Sequence, residues 1–459
     1  MAAAGQSAAM LAEIWRALGG DSRLIDNLNF AGEGDLPSIF AVSDLAAASI
    51  GAAALAASEL IGSRYRDVPA VTVDRRLASM WFGWSIRPQG WKLPPVWEAL
   101  AGDYRTADGW IRLHTNNPHH RAAALTALDV APERDAVAAA VARWRGDDLE
   151  SAIVAKRGCA AAMRTAEQWR AHPQGRAVAA EPLVTRETNE AGSPPAWPIS
   201  RSRPLEGVRV LDMTRVLAGP VATRFLAGLG AEVLRIDPPD WEEPAIAPEV
   251  TLGKRCARLD LKSGAGRETL EALLADADIL VHGYRPGALA GLDFDSERIR
   301  RSRRGLIEVT LDAYGWTGPW ATRRGFDSLV QMSSGIADAG MRLAGADHPV
   351  SLPVQALDHA TGYLMAAAAL RGMTRRIVGG TATVSRVSLA RTAALLTAYP
   401  HRGEDSAPLA PETPDDLAPD DEVTPWGRAR RLRPPIEIDG APLRWTIPAS
   451  ALGSSPPRW

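Results

Sequence analysis

Two aspartates stand where an acid could act as a nucleophile. Asp358 lies in the stretch Pro353 to Leu370, PVQALDHATGYLMAAAAL, near the start of a helical pattern. The residues after it are small and apolar: Ala360, Gly362, Ala366, Ala367 and Ala368. Small side chains let a second backbone or a ligand come close. A carboxylate so placed can attack a thioester carbonyl and form an acyl anhydride. That chemistry needs water kept out and N–H donors for the developing oxyanion. The structural alternative is a cap, because an acid in a first helical turn satisfies free N–H groups and suits the helix dipole.

The same cassette occurs earlier. Ile39 to Leu55 reads IFAVSDLAAASIGAAAL, with Asp44 in the place of Asp358. Each Ala-rich helix leads to a Thr-Val strand, Thr72-Val73-Asp74-Arg75 in one copy and Thr383-Val384-Ser385-Arg386 in the other. The acids lie 314 residues apart and the strands 311, so one three-residue gap aligns the copies. Two long copies are too few for a solenoid. They read as a duplicated piece of one α/β domain.

The elements that must position these acids follow from hydrophobic periodicity. Residues 8 to 20 predict an amphipathic helix. Residues 83 to 172 read as a small α/β domain, with Asp108-Gly109 as a hairpin turn. Residues 186 to 203, rich in Gly, Ser and Pro, read as a linker. From Pro204 strands and helices alternate: strands at Val208 to Met213, Ala231 to Ile236, Arg258 to Leu261, Ile279 to His282 and Leu306 to Leu311, with helices at Val221 to Leu229, Gly266 to Ala275, Asp295 to Arg300 and Gly325 to Ala337. This alternation predicts an α/β fold with a doubly wound, mostly parallel sheet. Residues 402 to 424, rich in Asp, Glu and Pro, read as a flexible linker. Ile436-Glu437-Ile438 before Asp439-Gly440 reads as a short strand.

Composition bounds the function. With 459 residues, 46% of them hydrophobic, the chain has room for two or three domains. The net charge of −2 gives no electrostatic case for nucleic acid. Two cysteines, Cys159 and Cys256, suggest neither a disulfide framework nor a metal cluster and fit a reducing cytoplasm. The N-terminus lacks the basic and apolar regions of a signal peptide. The apolar stretch Leu45 to Ala57 reads as too short to span a bilayer. Trp81, Trp84, Trp91 and Trp97 could wall an apolar pocket or fill a core.

Other chemistries fit less well. A strand, turn, helix and strand end in Asp237, where a dinucleotide-binding fold places its ribose-binding acid. The turn, Thr214 to Pro220, has no G-x-G-x-x-G, and Val216 and Leu217 would hold the backbone off a pyrophosphate. The histidines lack ligand spacing: His119 and His120 are adjacent, and His359 has no partner. No G-x-S-x-G elbow occurs.

Several ordered segments resemble the class III CoA-transferases, the family of formyl-CoA and carnitine-CoA transferases and α-methylacyl-CoA racemases. They are Pro204 to Asp212 (PLEGVRVLD), Val216 to Pro220 (VLAGP), Leu229 to Val233 (LGAEV), Lys254-Arg255, Leu259 to Lys262 (LDLK), Tyr284 to Ala288 (YRPGA) and Gly325-Phe326-Asp327. The likeness covers roughly residues 204 to 400. It implies a Rossmann-like large domain, a smaller α/β domain and an interlocked homodimer. It implies that Asp358 is the catalytic aspartate, that Val216, Leu217, Ala218, Leu259, Tyr284, Arg285 and Ala288 bind CoA, and that CoA is a substrate with no tightly bound cofactor. The substrates implied are an acyl-CoA and a carboxylic acid, with no metal, nucleic acid or membrane.

The order of parts departs from the family. Residues 1 to 185 resemble the later portion of a member and 204 to 400 its first half, so the chain reads as a rearranged fusion. Its expected parts are 1 to 80 with the first acid cassette, 81 to 185 as a small domain, a linker at 186 to 203, the large domain at 204 to 400, a linker at 401 to 424, and a tail at 425 to 459 completing a small domain. Asp44 is then either a second nucleophile or a remnant. Racemases of the family carry a His where this chain has Phe326, which cannot move a proton. Asp312 stands where some members have a basic or small residue, and a negative charge there would repel CoA phosphates. A racemase and a non-catalytic CoA-binding homologue are the alternatives.

Overall fold

The computed structural model describes residues 2–192, 195, 197–399 and 407–459. Its largest element is a seven-stranded sheet. In spatial order the strands are Lys254–Arg258, Glu232–Asp237, Arg209–Met213, Ile279–His282, Ile307–Asp312, Thr381–Ser388 and Thr185–Glu190. The first six are parallel and the last is antiparallel. Numbered along the chain, the parallel strands run 3-2-1-4-5-6, the doubly wound order expected from the strand–helix alternation. Burial on both faces explains their sequences: Ile279–His282 is buried at every position. The order reverses between Arg209–Met213 and Ile279–His282, which opens a crevice at their carboxyl ends.

A second sheet repeats the last three strands in miniature. Leu28–Ala31 and Val71–Asp74 are parallel, and Ile436–Ile438 closes the sheet antiparallel. Each copy is thus strand, acid-bearing helix and strand. The helices are Val42–Tyr65 and Ala356–Gly379, each of 24 residues. They pack against each other, and their alanines share one apolar core. The closing strands are exchanged. Thr185–Glu190 follows the first copy in the chain but pairs with the second copy's Thr381–Ser388. Ile436–Ile438 follows the second copy but pairs with the first copy's Val71–Asp74.

Four expectations change. Residues 186–190 are an edge strand, not linker; the polar run TRETNE suits a strand with one side open, where charge discourages further pairing. The strand expected at Arg258 to Leu261 lies earlier, at Lys254–Arg258. The helix expected over Gly325 to Ala337 is two, Asp327–Ser333 and Ile336–Leu343, broken at Gly335, whose φ is +90°. The first acid helix is long and apolar enough to cross a membrane, but 89% of its apolar window is buried in protein. Of the acidic tail, residues 402–406 lie outside the described residues. Beyond them the chain is tied down by Glu412 on Arg87 and by Asp416 on Arg76 at 2.6 Å.

The small domain is built on the expected hairpin, Gly102–Arg105 with Trp110–Leu113, plus Ala160–Ala162. The tail contributes Glu422–Thr424 and Gly427–Arg431, which pair with each other, and Gly427–Arg431 also pairs with Ile86–Pro88. Fully buried Glu249 joins this tail to the strand Ile86–Pro88 and to the helix Ala218–Gly228. It accepts the N–H groups of Ser85 (3.1 Å) and Ile86 (3.0 Å), the Ser85 hydroxyl (2.8 Å) and the guanidinium of Arg431 (3.0 Å), and it pairs with Arg224. Burial raises the Glu249 pKa, but the two arginines outweigh it and hold the carboxyl below its usual range. Replacing one partner of a buried cluster leaves the others uncompensated. Glu249→Leu should therefore destabilise the fold by about 3–5 kcal/mol in urea unfolding; an unchanged midpoint would show that the cluster does not hold the tail.

Candidate active site

The crevice at the sheet's carboxyl edge is a cleft of about 950 Å3, closed on its far side by residues 117–126 and 156–157 of the small domain. Val216, Ala218, Tyr284, Arg285, Ala288 and Asp358 all line it, although they come from three separate stretches of sequence. Leu217, Leu259 and Asp44 do not. Leu217 caps the helix Ala218–Gly228 and packs in the main core. Leu259 packs with Leu261, Leu270 and Leu274 in a second apolar cluster. Trp81 is also core: it stacks on Trp445, and its Nε1 donates to the Arg433 carbonyl at 2.7 Å.

Asp358 sits in the first turn of its helix and faces the cleft. Its backbone N–H donates to Asp327 Oδ2 at 2.9 Å, and Asp327 also takes the N–H of Leu357. The acid at the helix start is therefore not its own cap; Asp327 does that work. Among the described residues no side chain donates to the Asp358 carboxyl. Burial, and then the Asp327 charge, push its pKa well above the carboxylate range. Burial raises Asp327 too, against the hydrogen bonds from Gln331, Asp358 and Leu357. Two such acids titrate as a pair.

Asp44 has the opposite surroundings. It has no exposed surface, and Ser7 Oγ donates to it at 2.6 Å and Arg75 Nε at 3.2 Å. Arg75 also bonds Asp35 and the Gly34 carbonyl. The first cassette keeps its acid inside an ion-paired core.

One close contact places Asp358. A Cβ on Gly362 would lie 2.4 Å from the Ala218 carbonyl oxygen. Only glycine there lets the Asp358 helix touch the turn that opens the helix Ala218–Gly228. That turn is itself held. Val216 has φ +65°, a left-handed conformation strained for a β-branched residue. Its N–H donates to Glu243 Oε1 at 2.6 Å, and Arg235 binds Glu243 Oε2 at 2.6 Å. Beneath it, Lys254 Nζ bridges Asp212 Oδ2 (3.0 Å) and the Pro220 carbonyl (2.9 Å), while Asp212 Oδ1 accepts the Thr214 N–H at 2.9 Å. These charges are all buried.

The walls are basic. Lys156, Arg157, Arg215, Arg285 and Arg324 line the cleft. Arg215 lies between the rings of Trp241 (5.2 Å) and Tyr284 (5.1 Å) and bonds the Tyr284 hydroxyl at 2.9 Å. Guanidinium groups suit phosphate oxygens. The expected repulsion from Asp312 is removed, because burial pushes its carboxyl up to about 8 and leaves it neutral at pH 7. Phe326 stacks on His114 with centroids 3.7 Å apart, and burial lowers that imidazole to about 3.

Asp327 was legible as part of a motif but not as the holder of Asp358. Glu243 carries no local signal, and Lys254 was legible only within the Lys254-Arg255 segment, since their roles arise when distant loops fold onto the turn. Lys156 and Arg157 belong to a small domain that the chain order puts before the large one.

Residues 205–413 match the model of "CoA-transferase family III". The match spans 209 of the chain's 459 residues. The chain is 34% identical over 209 residues to "Acetyl-coenzyme A transferase nodX" of Hypoxylon pulicicidum, covering 43% of this chain and 35% of that one. It is 30% identical to an "Acyl-CoA transferase" of Gibberella moniliformis over 62% of this chain and 54% of the other. Mouse "Succinyl-CoA:glutarate CoA-transferase" is 34% identical over 38% of this chain and 42% of its own. The chain thus spans between about a third and about half of these relatives. Among solved structures, a "CAIB/BAIF family protein" from Brucella suis matches at 25% identity and a TM-score of 0.39, covering 50% of this chain and 65% of that chain.

The Gly362 contact gives a direct test. Gly362→Ala must push the helix off the family III turn, and overpacking of this kind costs about 1–3 kcal/mol. Urea unfolding should show that loss, and calorimetric titration should show weaker CoA binding. A variant with wild-type stability and affinity would remove this contact from the account of the site.

Proposed function

We propose that this chain is a CoA-transferase acting between an acyl-CoA and a carboxylic acid, with Asp358 as nucleophile. The observation that carries the reading is the Asp358 carboxyl, without a donor of its own, facing a basic cleft and held against the family III turn through Gly362. Ionised Asp358 attacks the thioester carbonyl, the C–S bond breaks, and CoA leaves as thiolate with a mixed anhydride behind it. The thiolate attacks the aspartyl carbonyl and expels the donor acid as carboxylate, leaving an aspartyl-CoA thioester. The acceptor carboxylate repeats the attack, and CoA departs on the new acyl group while Asp358 is regenerated. Each step transfers an acyl group without net proton uptake, so no general acid is required. The basic walls support binding of the CoA phosphates. Coenzyme A is substrate throughout, and no resident cofactor is invoked. The homodimer of the proposal carries one such cleft per chain, in a cytoplasmic setting.

Incubation with a panel of acyl-CoAs followed by hydroxylamine should leave a hydroxamate on Asp358, read by peptide mass spectrometry. Asp358→Asn should lower turnover by about 10³-fold or more. Asp44→Asn should lower the thermal midpoint and keep turnover within about threefold, because that acid is bound in the core. A hydroxamate on Asp44 would reverse the assignment. CoA binding with no adduct on either acid would leave a non-catalytic binding protein.

The pH profile has a definite sign. The Asp358 pKa is raised in the folded protein, and attack needs the ionised form. Turnover should therefore climb as pH rises and reach a plateau once the Asp327–Asp358 pair has lost its shared proton. Asp327→Asn removes the like charge and should move the rising limb to lower pH. A limb that stays in place would mean that another group governs it.

A further inference from the structure

The Asp312 carboxyl lines the same cleft as Asp358. It ends the strand Ile307–Asp312, where it pairs in register with Ser388. The residue is 7% exposed. Its Oδ1 accepts the N–H of Gly315 at 2.7 Å. Its Oδ2 is buried and has no hydrogen-bond partner. A buried polar atom left without a partner is costly, and such atoms in native folds call for an explanation. Among the described residues no cation pairs with the carboxyl. Glu181, fixed by the N–H (2.7 Å) and hydroxyl (2.6 Å) of Thr317, is the charged group acting on it, and it repels. Ala313 and Leu389 complete the nearby wall. Arg323 of the opposite loop is occupied by Glu150 at 2.8 Å. Arg391, on the helix that Leu389 begins, carries no bond to Asp312 among the described residues.

We propose that Asp312 is a specificity residue whose Oδ2–H donates a hydrogen bond to a carboxylate oxygen of the acid substrate. The proposal rests on the CoA-transferase reading. The donor state follows from the site: burial and Glu181 together outweigh the Gly315 N–H and keep the proton on up to about pH 8. A neutral carboxyl in an otherwise apolar wall discriminates in one direction. It rewards an anionic oxygen and leaves an aliphatic acyl chain without a partner for it. Ionised, the same group becomes an acceptor and repels the ligand.

The test uses succinyl-CoA as donor and acetate and glutarate as acceptors, from pH 6.5 to 9.5. With the wild type, KM for the acid should rise several-fold as pH passes about 8, while KM for succinyl-CoA stays level. Asp312→Asn keeps the Gly315 bond and a permanent donor, so its KM for the acid should be flat with pH. Asp312→Ala should raise that KM about tenfold at every pH, with kcat little changed. Equal acid KM values in wild type and Asn variant at every pH would overturn the proposal, whatever the Ala variant does. Failure of the wild type to transfer CoA to any acid would instead overturn the transferase reading and this proposal with it. The two failures differ in which protein shows them.

Discussion

A glycine without a side chain sets the geometry of this molecule. The Asp358 helix can lie against the Ala218 carbonyl only because nothing projects from Gly362. The contact joins two elements nearly 150 residues apart in the chain. It brings the end of the first parallel strand and the start of the last long helix to one side of the sheet. The rest of the site is arranged around it. Val216 is held in a strained turn by Glu243, Glu243 by Arg235, and the floor of the turn by Lys254 and Asp212. None of these groups needs to touch a substrate. Their common effect is to fix where a backbone lies before any ligand arrives, which is how preorganised sites avoid reorganisation during reaction.

The two cassettes hold equivalent acids in different surroundings. Asp44 and Asp358 stand at equivalent positions on helices of equal length. Asp44 is bonded by Ser7 and Arg75, which oppose burial without outweighing it, so its pKa is still raised. Asp358 has a like charge where Asp44 has a cation, and that charge adds to burial. Burial acts in the same direction on both. The neighbours set them apart, and they come from other elements: Ser7 from the first helix, Arg75 from the strand end, Asp327 from the helix Asp327–Ser333.

This contrast marks the limit of reading by sequence. The duplication, the parallel strands and the turn at Val216 were legible because each is a local pattern. So was the first-turn position of Asp358, through the small residues after it. That Leu217 and Leu259 do not line the cleft was not legible, because a motif does not say which of its side chains face it. Asp44 could not be separated from Asp358 while Arg75 was 31 positions away with no pattern to link them. Residues 186–190 looked like linker because an edge strand needs only a partner, and that partner lies beyond residue 380. The neutral state of Asp312 was invisible, since a charge assigned from composition ignores burial.

The exchange of closing strands has a consequence for how the chain comes to be folded. Val71–Asp74 is made long before its outer neighbour Ile436–Ile438. Thr185–Glu190 waits for Thr381–Ser388. During translation the Val71–Asp74 edge therefore stays open, and Thr185–Glu190 unpaired, for the time taken to make roughly two hundred residues or more. Such edges are templates for wrong pairing. Sequence-distant pairings of this kind also slow folding, because loop closure precedes the reward. A chain threaded in this way takes the closing strand of each sheet from the other half, so neither half closes a sheet with its own strands alone.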